Sequence, residues 1–286
     1  MPVFLHGLST ALPPHVLTQD EVRERASIIF GAKYPQFERL SKSFATAGID
    51  RRYSVVPIDW FSEEHGWVDR NVAFIEGAKA MFLDAARLAL LDAGWQAEEV
   101  DCVVTVSSTG IATPTLEAQV FSDMGFREDI MRVPLFGLGC AGGVTGLSVA
   151  QSLAKARSGA KVLLVVIETC SLSFRADRLQ KADIIATALF GDGSAAACLS
   201  TDATDGKTRV ELDQGYQKMW PDTLSIMGWD VDEAGFGVVF DRSIPTFVRN
   251  EFAAATRGAL DASALKHDEI DRYTAATPKP EFFHGL

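Results

Sequence analysis

Residues 133–156 read VPLFGLGCAGGVTGLSVAQSLAKA, and one of them, Cys140, stands where a side chain could do covalent chemistry. An apolar run leads into Gly137-Leu138-Gly139, the cysteine follows, and a helical pattern starts at once. The two glycines supply the backbone freedom that a sharp strand-to-helix turn needs. A thiol on such a turn faces unpaired N–H groups and the positive end of a helix dipole. Both favour thiolate over thiol, so the spacing predicts a lowered pKa at Cys140. Its own backbone N–H can also donate to a developing oxyanion. A nucleophile and an oxyanion donor together suit acyl transfer through a covalent intermediate. The other cysteines are Cys102, Cys170 and Cys198, and no CxxC pair occurs. Cys102 and Cys198 read as small buried residues. The four together fit reduced thiols better than a disulfide framework or a zinc site.

Elements able to hold that turn are legible on both sides of it. Residues 3–12 read as a strand, and Thr18 with Glu21 as a capping box opening a helix. Phe74, Ala78, Met81, Ala85, Leu88 and Ala89 recur at helical spacing within 71–95, and Gly94 ends that helix. Residues 101–107 form a short β-branched run expected as a buried strand. A helix is expected over 116–124, a strand over 131–138 and a helix over 142–158. KVLLVVIE, residues 161–168, is the clearest buried parallel strand, and 193–200 a strand of small residues. This alternation is the α/β signature. A polar turn at 201–206 then separates two expected domains, 1–203 and 204–286. In the second, 208–211 and 236–240 read as strands, 244–260 as a helix, and 269–273 as the start of one more strand.

The net charge of -11 argues against nucleic acid as a partner, because phosphates need a basic stripe. No stretch approaches the ~18 to 20 apolar residues of a membrane span. The opening MPVFLHGLSTALPP lacks a basic region and reads as a strand, not a signal peptide, so a cytoplasmic protein is expected.

GLGCAGGVTGLSVA is accompanied, in order, by ALPPHVLTQDEV (11–22), GIDRRY (48–53), SSTGIATPTLEA (107–118), ETCSLSF (168–174), ALFGDGSAA (188–196) and MGWDVDEAGFGVVFDRSIP (227–245). Together these segments resemble the bacterial type III polyketide synthases of the chalcone and stilbene synthase family, within the thiolase superfamily. The resemblance implies a thiolase-like α/β fold, layered α-β-α-β-α from two similar halves, with the second half incomplete here. It implies an acyltransferase that loads an acyl group from acyl-CoA onto Cys140, extends it with malonyl-CoA and cyclises the product. Coenzyme A thioesters are then substrates, and no cofactor is implied.

Further roles follow from the same resemblance. Phe190 matches an aromatic gatekeeper between coenzyme A tunnel and cavity, or is core beside a glycine-rich turn. The second gatekeeper position holds Val238, so the aromatic pair is incomplete. Cys170 and Ser173 match cavity-lining positions, although Cys170 could be inert filling. Arg39 and Lys42 match two basic residues at the coenzyme A entrance, with Thr46 at a third; solvated helix charges are the alternative. Thr113 matches a residue that relatives extend across a dimer interface, which implies a homodimer.

Relatives also carry a histidine in an HPGG-like loop and an asparagine that together stabilise the enolate. After 269–273 this sequence continues TAATPKPEFFHGL, and none of His6, His15, His65, His267 and His284 stands in that context. A truncated or frameshifted C-terminal part, with impaired activity, is therefore expected. Two alternatives stay open: a condensing enzyme of the β-ketoacyl synthase III type, and a catalytically dead remnant that dimerises or holds coenzyme A.

Overall fold

The computed structural model describes residues 1–178, 180–203 and 210–274. Its strands are β1 (Val3–Ala11), β2 (His15–Thr18), β3 (Arg51–Ser54), β4 (Cys102–Val106), β5 (Met131–Leu135), β6 (Val162–Thr169), β7 (Asp192–Ser200), β8 (Val210–Leu212), β9 (Met227–Asp232) and β10 (Gly235–Phe240). Its helices are α1 (Gln19–Phe30), α2 (Phe37–Thr46), α3 (Trp67–Ala93), α4 (Leu116–Gln119), α5 (Phe121–Met124), α6 (Gly142–Ala156), α7 (Lys181–Leu189) and α8 (Ile244–Ala262).

The apolar runs of β4 and β6 become the centre of a six-stranded sheet of order β5-β4-β6-β7-β1-β8. β4 is parallel to both β5 and β6, whereas β7 runs antiparallel to β6 and to β1. The sheet is therefore mixed, and β6 is a parallel strand on one side only. Alternate residues of the central strands face opposite layers. Val103, Leu163, Val165 and Ile167 pack with Phe74, Ala78, Phe82 and Ala85 of α3. Val104, Val106, Val162 and Leu164 pack with Ala150 and Ala154 of α6. Each fully buried Val, Leu, Ile or Phe among them contributes about 1.5–3 kcal/mol. Gly146 lets α6 approach closely, since a Cβ there would fall 2.7 Å from a methyl of Val106. That approach seats the residues preceding α6 against the end of β4.

The capping box forms as its spacing requires: the Glu21 N–H donates to Thr18 Oγ1 and the Thr18 N–H to the Glu21 carboxylate at 2.8 Å. Gly94 ends α3 in the left-handed conformation at φ 70°. Other expectations need correction. The helix expected over 116–124 is two short ones, α4 and α5, broken at Val120. The strand expected over 269–273 is absent: His267–Glu269 is a single 3-10 turn, and residues 270–274 join no ladder. No described strand lies alongside to take its N–H and C=O groups, and a strand exists only through such pairing. β9 alternates Met227, Trp229 and Val231 with Gly228, Asp230 and Asp232, a period-two pattern that escaped the sequence reading; it pairs antiparallel with β10. β8 joins β1 at the edge of the main sheet, while 204–209 of the expected turn and strand lie outside the described residues.

Candidate active site

Cys140 lies in one 3-10 turn, Gly139–Ala141, directly before α6, with Gly137 at φ 84° and Gly139 at φ 53° supplying the bend. The turn is tied to the end of β4, since the Gly139 N–H donates to Ser108 Oγ at 3.1 Å. Ser108 in turn holds the end of β6: its N–H donates to both carboxylate oxygens of Glu168 at 3.0 Å. Thr109 Oγ1 donates to Glu168 Oε2 at 2.7 Å and accepts from the Thr169 N–H at 2.8 Å. The carboxyl ends of three neighbouring strands thus converge on Cys140, the place where open α/β sheets bind ligands.

The electrostatics reverse the expectation for the thiol. Burial of the Cys140 side chain, then the negative charge of Glu168, push its pKa up; the Cys140 backbone N–H opposes them without winning. Burial also raises Glu168 to about 7, against its hydrogen bonds from Thr109 and Ser108. Cys170 is pushed well above the ordinary thiol range by burial, with Glu168 and Asp192 adding to it. Glu168 escaped the sequence reading, and its one signal was a carboxylate ending an otherwise apolar strand. Glu168→Gln keeps an acceptor for the Ser108 N–H but removes the charge. Above about pH 7 the native residue is largely ionised and disfavours the thiolate, so the variant raises the thiolate fraction. Alkylation of Cys140 by iodoacetamide, read by peptide mass mapping at mildly alkaline pH, should run about threefold faster or more. An unchanged rate would mean that Glu168 does not act on the thiol.

Four of the expected site residues meet in one cleft. Cys170, Ser173, Phe190 and Val238 line it together with Phe61 and Phe174. Its void is about 590 Å³, counted out to the open mouth. Cys140 does not line this cleft; the cleft reaches Cys170, two residues beyond Glu168. Phe190 follows α7, and its carbonyl accepts from Arg52 Nη1 at 3.1 Å. The same buried guanidinium donates to the carbonyls of Thr187 and Ala188 and to Gln19. Burial lowers its pKa to about 10. Arg52 therefore fixes the backbone that presents Phe190, a role that its place in GIDRRY did not announce. Arg39 and Lys42 are exposed on α2, and Thr113 is exposed before α4; none of the three reaches the cleft. Cys102 and Cys198 are buried, as expected, and all four cysteines are free. Among the described residues no cluster of side chains could hold a metal ion, and no helix is long and apolar enough to cross a membrane.

The family model for the N-terminal domain of chalcone and stilbene synthases matches residues 2–203. The chain belongs to the chalcone and stilbene synthase family. A 1,3,6,8-tetrahydroxynaphthalene synthase of Streptomyces peucetius subsp. caesius is 34% identical over 272 residues, spanning 92% of this chain and 70% of the relative. The crystal structure of the 1,3,6,8-tetrahydroxynaphthalene synthase of Streptomyces coelicolor A3(2), a bacterial type III polyketide synthase, superimposes with a TM-score of 0.87 at 29% identity. That match covers 94% of this chain and 76% of the other. The C-terminal type III polyketide synthase domain of Steely1 from Dictyostelium gives 0.86 at 27% identity, covering 94% and 76%. The fold is thus the thiolase-like one of chalcone and stilbene synthases. A member of this family of type III polyketide synthases is an acyltransferase that condenses acyl-CoA with malonyl-CoA and cyclises the product, and the chain is such an enzyme. Its substrates are coenzyme A thioesters.

Proposed function

We propose that Cys140 is the acyl acceptor of this synthase. The observation that carries the reading is the convergence of β4, β5 and β6 on the glycine-bent turn that holds it. Its thiolate attacks the thioester carbonyl of an acyl-CoA, the tetrahedral oxyanion collapses, and the coenzyme A thiolate leaves to take up a proton. Malonyl-CoA then loses CO2, and the enolate so formed attacks the acyl-cysteine carbonyl. The cysteine thiolate departs, and the acyl chain, two carbons longer, is carried on coenzyme A. Phe190 and Val238 form the gate of the cleft, and Cys170 and Ser173 part of its wall. Arg39 and Lys42, exposed on α2, receive the phosphates of coenzyme A as point charges. The division into residues 1–203 and 204–286 belongs to the same reading, as does a cytoplasmic location; the first is supported by the extent of the family match.

The wall assignment is testable by size. Cys170→Phe places a ring inside the cleft, so loading of dodecanoyl-CoA should fall roughly tenfold while acetyl-CoA is little affected. Equal loss for both, or for neither, would remove Cys170 from the wall.

The synthase is read as a homodimer. β5 is an edge of the main sheet, and Met131 on it is exposed, as are Phe136, Leu138 and Val144 beyond it and Ile111 beside the exposed Thr113. An unpaired edge flanked by apolar side chains favours pairing with a second copy, which Thr113 would then approach. Sedimentation at micromolar concentration should show a dimer, and a monomer there would count against this assignment.

A second reading rests on one observation. His6, His65 and His267 pack on Trp95, Trp60 and Tyr273, and the charged side chain that bears on the buried part of Cys140 is Glu168. A polypeptide that accepts acyl groups without extending them fits that site as it stands.

A further inference from the structure

Asp183 is the one carboxylate among the side chains that line the cleft, and its surroundings leave it short of partners. It stands buried in the first turn of α7. Asp183 Oδ2 accepts from the Gln180 N–H at 3.3 Å, the capping contact of that helix. Asp183 Oδ1 faces Arg178 Nε at 3.6 Å, an ion pair too long for a hydrogen bond. Arg178 Nε is itself buried with no hydrogen-bond partner, while the same guanidinium turns its Nη1 to Asp230 at 3.3 Å. Burial raises the Asp183 carboxyl above its ordinary value, and the Arg178 charge opposes this without winning. The other charged groups on the wall are occupied: Arg25 by Asp59, Arg52 by three carbonyls and Gln19, Arg175 by Asp177 and Asp232. Buried polar groups are nearly always hydrogen-bonded, so an acceptor left over on the wall of a ligand cleft calls for a donor on the ligand.

The place of Asp183 on α7 sets which part of a substrate it meets. Asp183, Ala186, Thr187 and Phe190 recur at helical spacing and all line the cleft, so one face of α7, with its C-cap, forms this wall. A chain that enters past Phe190 runs over the small residues Ala186 and Thr187. It reaches Asp183 ~10 Å further along the helix axis. Room for the charge pair is built into β10, where a Cβ on Gly237 would collide with Arg178 Nη1. We propose that Asp183, braced by Arg178, is a hydroxyl-binding subsite, and that the cleft takes aliphatic acyl chains carrying a hydroxyl toward the end remote from the thioester. An O–H donates to Asp183 Oδ1 and accepts from Arg178 Nε, whereas a methyl in its place leaves both unpaired. A carboxylate at that depth would be repelled by Asp183 and an ammonium by Arg178; a neutral hydroxyl suits both. The proposal rests on the reading of this cleft as the acyl site given above.

The test uses unreactive thioether analogues of acyl-CoA, so that it does not depend on acyl transfer to Cys140. Analogues with ω-hydroxydecanoyl and ω-hydroxydodecanoyl chains are each compared with the chain that has a methyl in the hydroxyl's place. Dissociation constants are read by calorimetry on the 286-residue protein at mildly alkaline pH. For at least one length the hydroxylated chain should bind about tenfold more tightly than its methyl counterpart, the scale of a hydrogen bond to a charged group. Without an acceptor on the wall the order reverses, because an unpaired hydroxyl is costly to bury. Asp183→Leu should show that reversed order. If it does not fold, Asp183→Asn, which keeps the shape and the cap but loses the charge, should lower the preference to about threefold or less. Methyl chains that bind as tightly as hydroxylated ones at both lengths in wild type overturn the inference. So does a preference that persists in Asp183→Leu or stands undiminished in Asp183→Asn. Failure of the cleft reading itself shows differently: Cys170→Phe would then weaken neither kind of chain, and the inference would fall with it.

Discussion

If the described residues are all that act on the enolate, the 286-residue polypeptide, given labelled malonyl-CoA, should release CO2 at a rate close to background even where it takes an acyl group from acyl-CoA. The two steps ask different things of the site. Loading needs a thiolate and one oxyanion donor, and the turn before α6 provides the backbone N–H of Cys140. Decarboxylation builds enolate charge on a thioester oxygen, and the resemblance assigns its donors to a histidine and an asparagine. Neither is found beside Cys140 among the described residues. His6 packs on Trp95, His65 stacks on Trp60 at 3.8 Å, and His267 packs on Tyr273. Asn71 is engaged with the backbone of Ile111, and Asn250 lies on α8, which has no buried residue. Loss of one oxyanion donor typically costs ~100- to 1000-fold in rate, and two together more. The thiol itself is also held toward its protonated form by burial and by Glu168. The measurement is trapped label together with organic-extractable product, from wild type and from Cys140→Ala. Rapid release by wild type that disappears in the variant would show that another residue of this chain stabilises the enolate.

Much of the frame that holds Cys140 could be read locally. β4 and β6 are short β-branched runs, α3 shows its apolar face at helical spacing, and the glycines before α6 announce a sharp turn. Each of these signals is local, written within a few residues of the element that it forms. What failed was non-local. The pKa of Cys140 was expected to fall because the helix dipole is visible in the sequence. The charge that opposes it sits on Glu168, and this charge and the burial that acts with it, which together overcome the backbone donor, exist only once the sheet is assembled. Trp229 meets the Ser108 carbonyl across 121 residues, and Arg52 meets Phe190 across 138. β9 alternates Met227, Trp229 and Val231 with two exposed aspartates and a glycine, but at six residues the signal is short and its partner strand makes it plain. Residues 269–273 illustrate the converse, a strand-like run that joins no ladder among the described residues. Phe190, Cys170, Ser173 and Val238 were brought to one cleft by the resemblance, which carries long-range geometry that periodicity cannot.

Cys140→Ala should abolish acyl loading, and this is the second large effect. Cys102 and Cys198 are buried, and burial pushes their thiols to about 11 and about 12, which leaves almost no thiolate near neutral pH. Cys170 is held higher than an ordinary thiol by burial and by two carboxylates. Cys140 is the one cysteine of the four with an exposed surface, although its surroundings still desolvate the thiolate enough to raise its pKa, and it alone has a glycine-bent turn behind it. Its thiol is raised as well, so loading should quicken as pH rises toward the alkaline range rather than level off near neutrality. The deciding measurement is incubation with dodecanoyl-CoA, followed by proteolysis and mass mapping of the thioester. The expected result is one acyl group per chain, on the peptide carrying Cys140, and none in Cys140→Ala. An adduct on Cys170, or one that persists in Cys140→Ala, would contradict the assignment of Cys140 as the acyl acceptor.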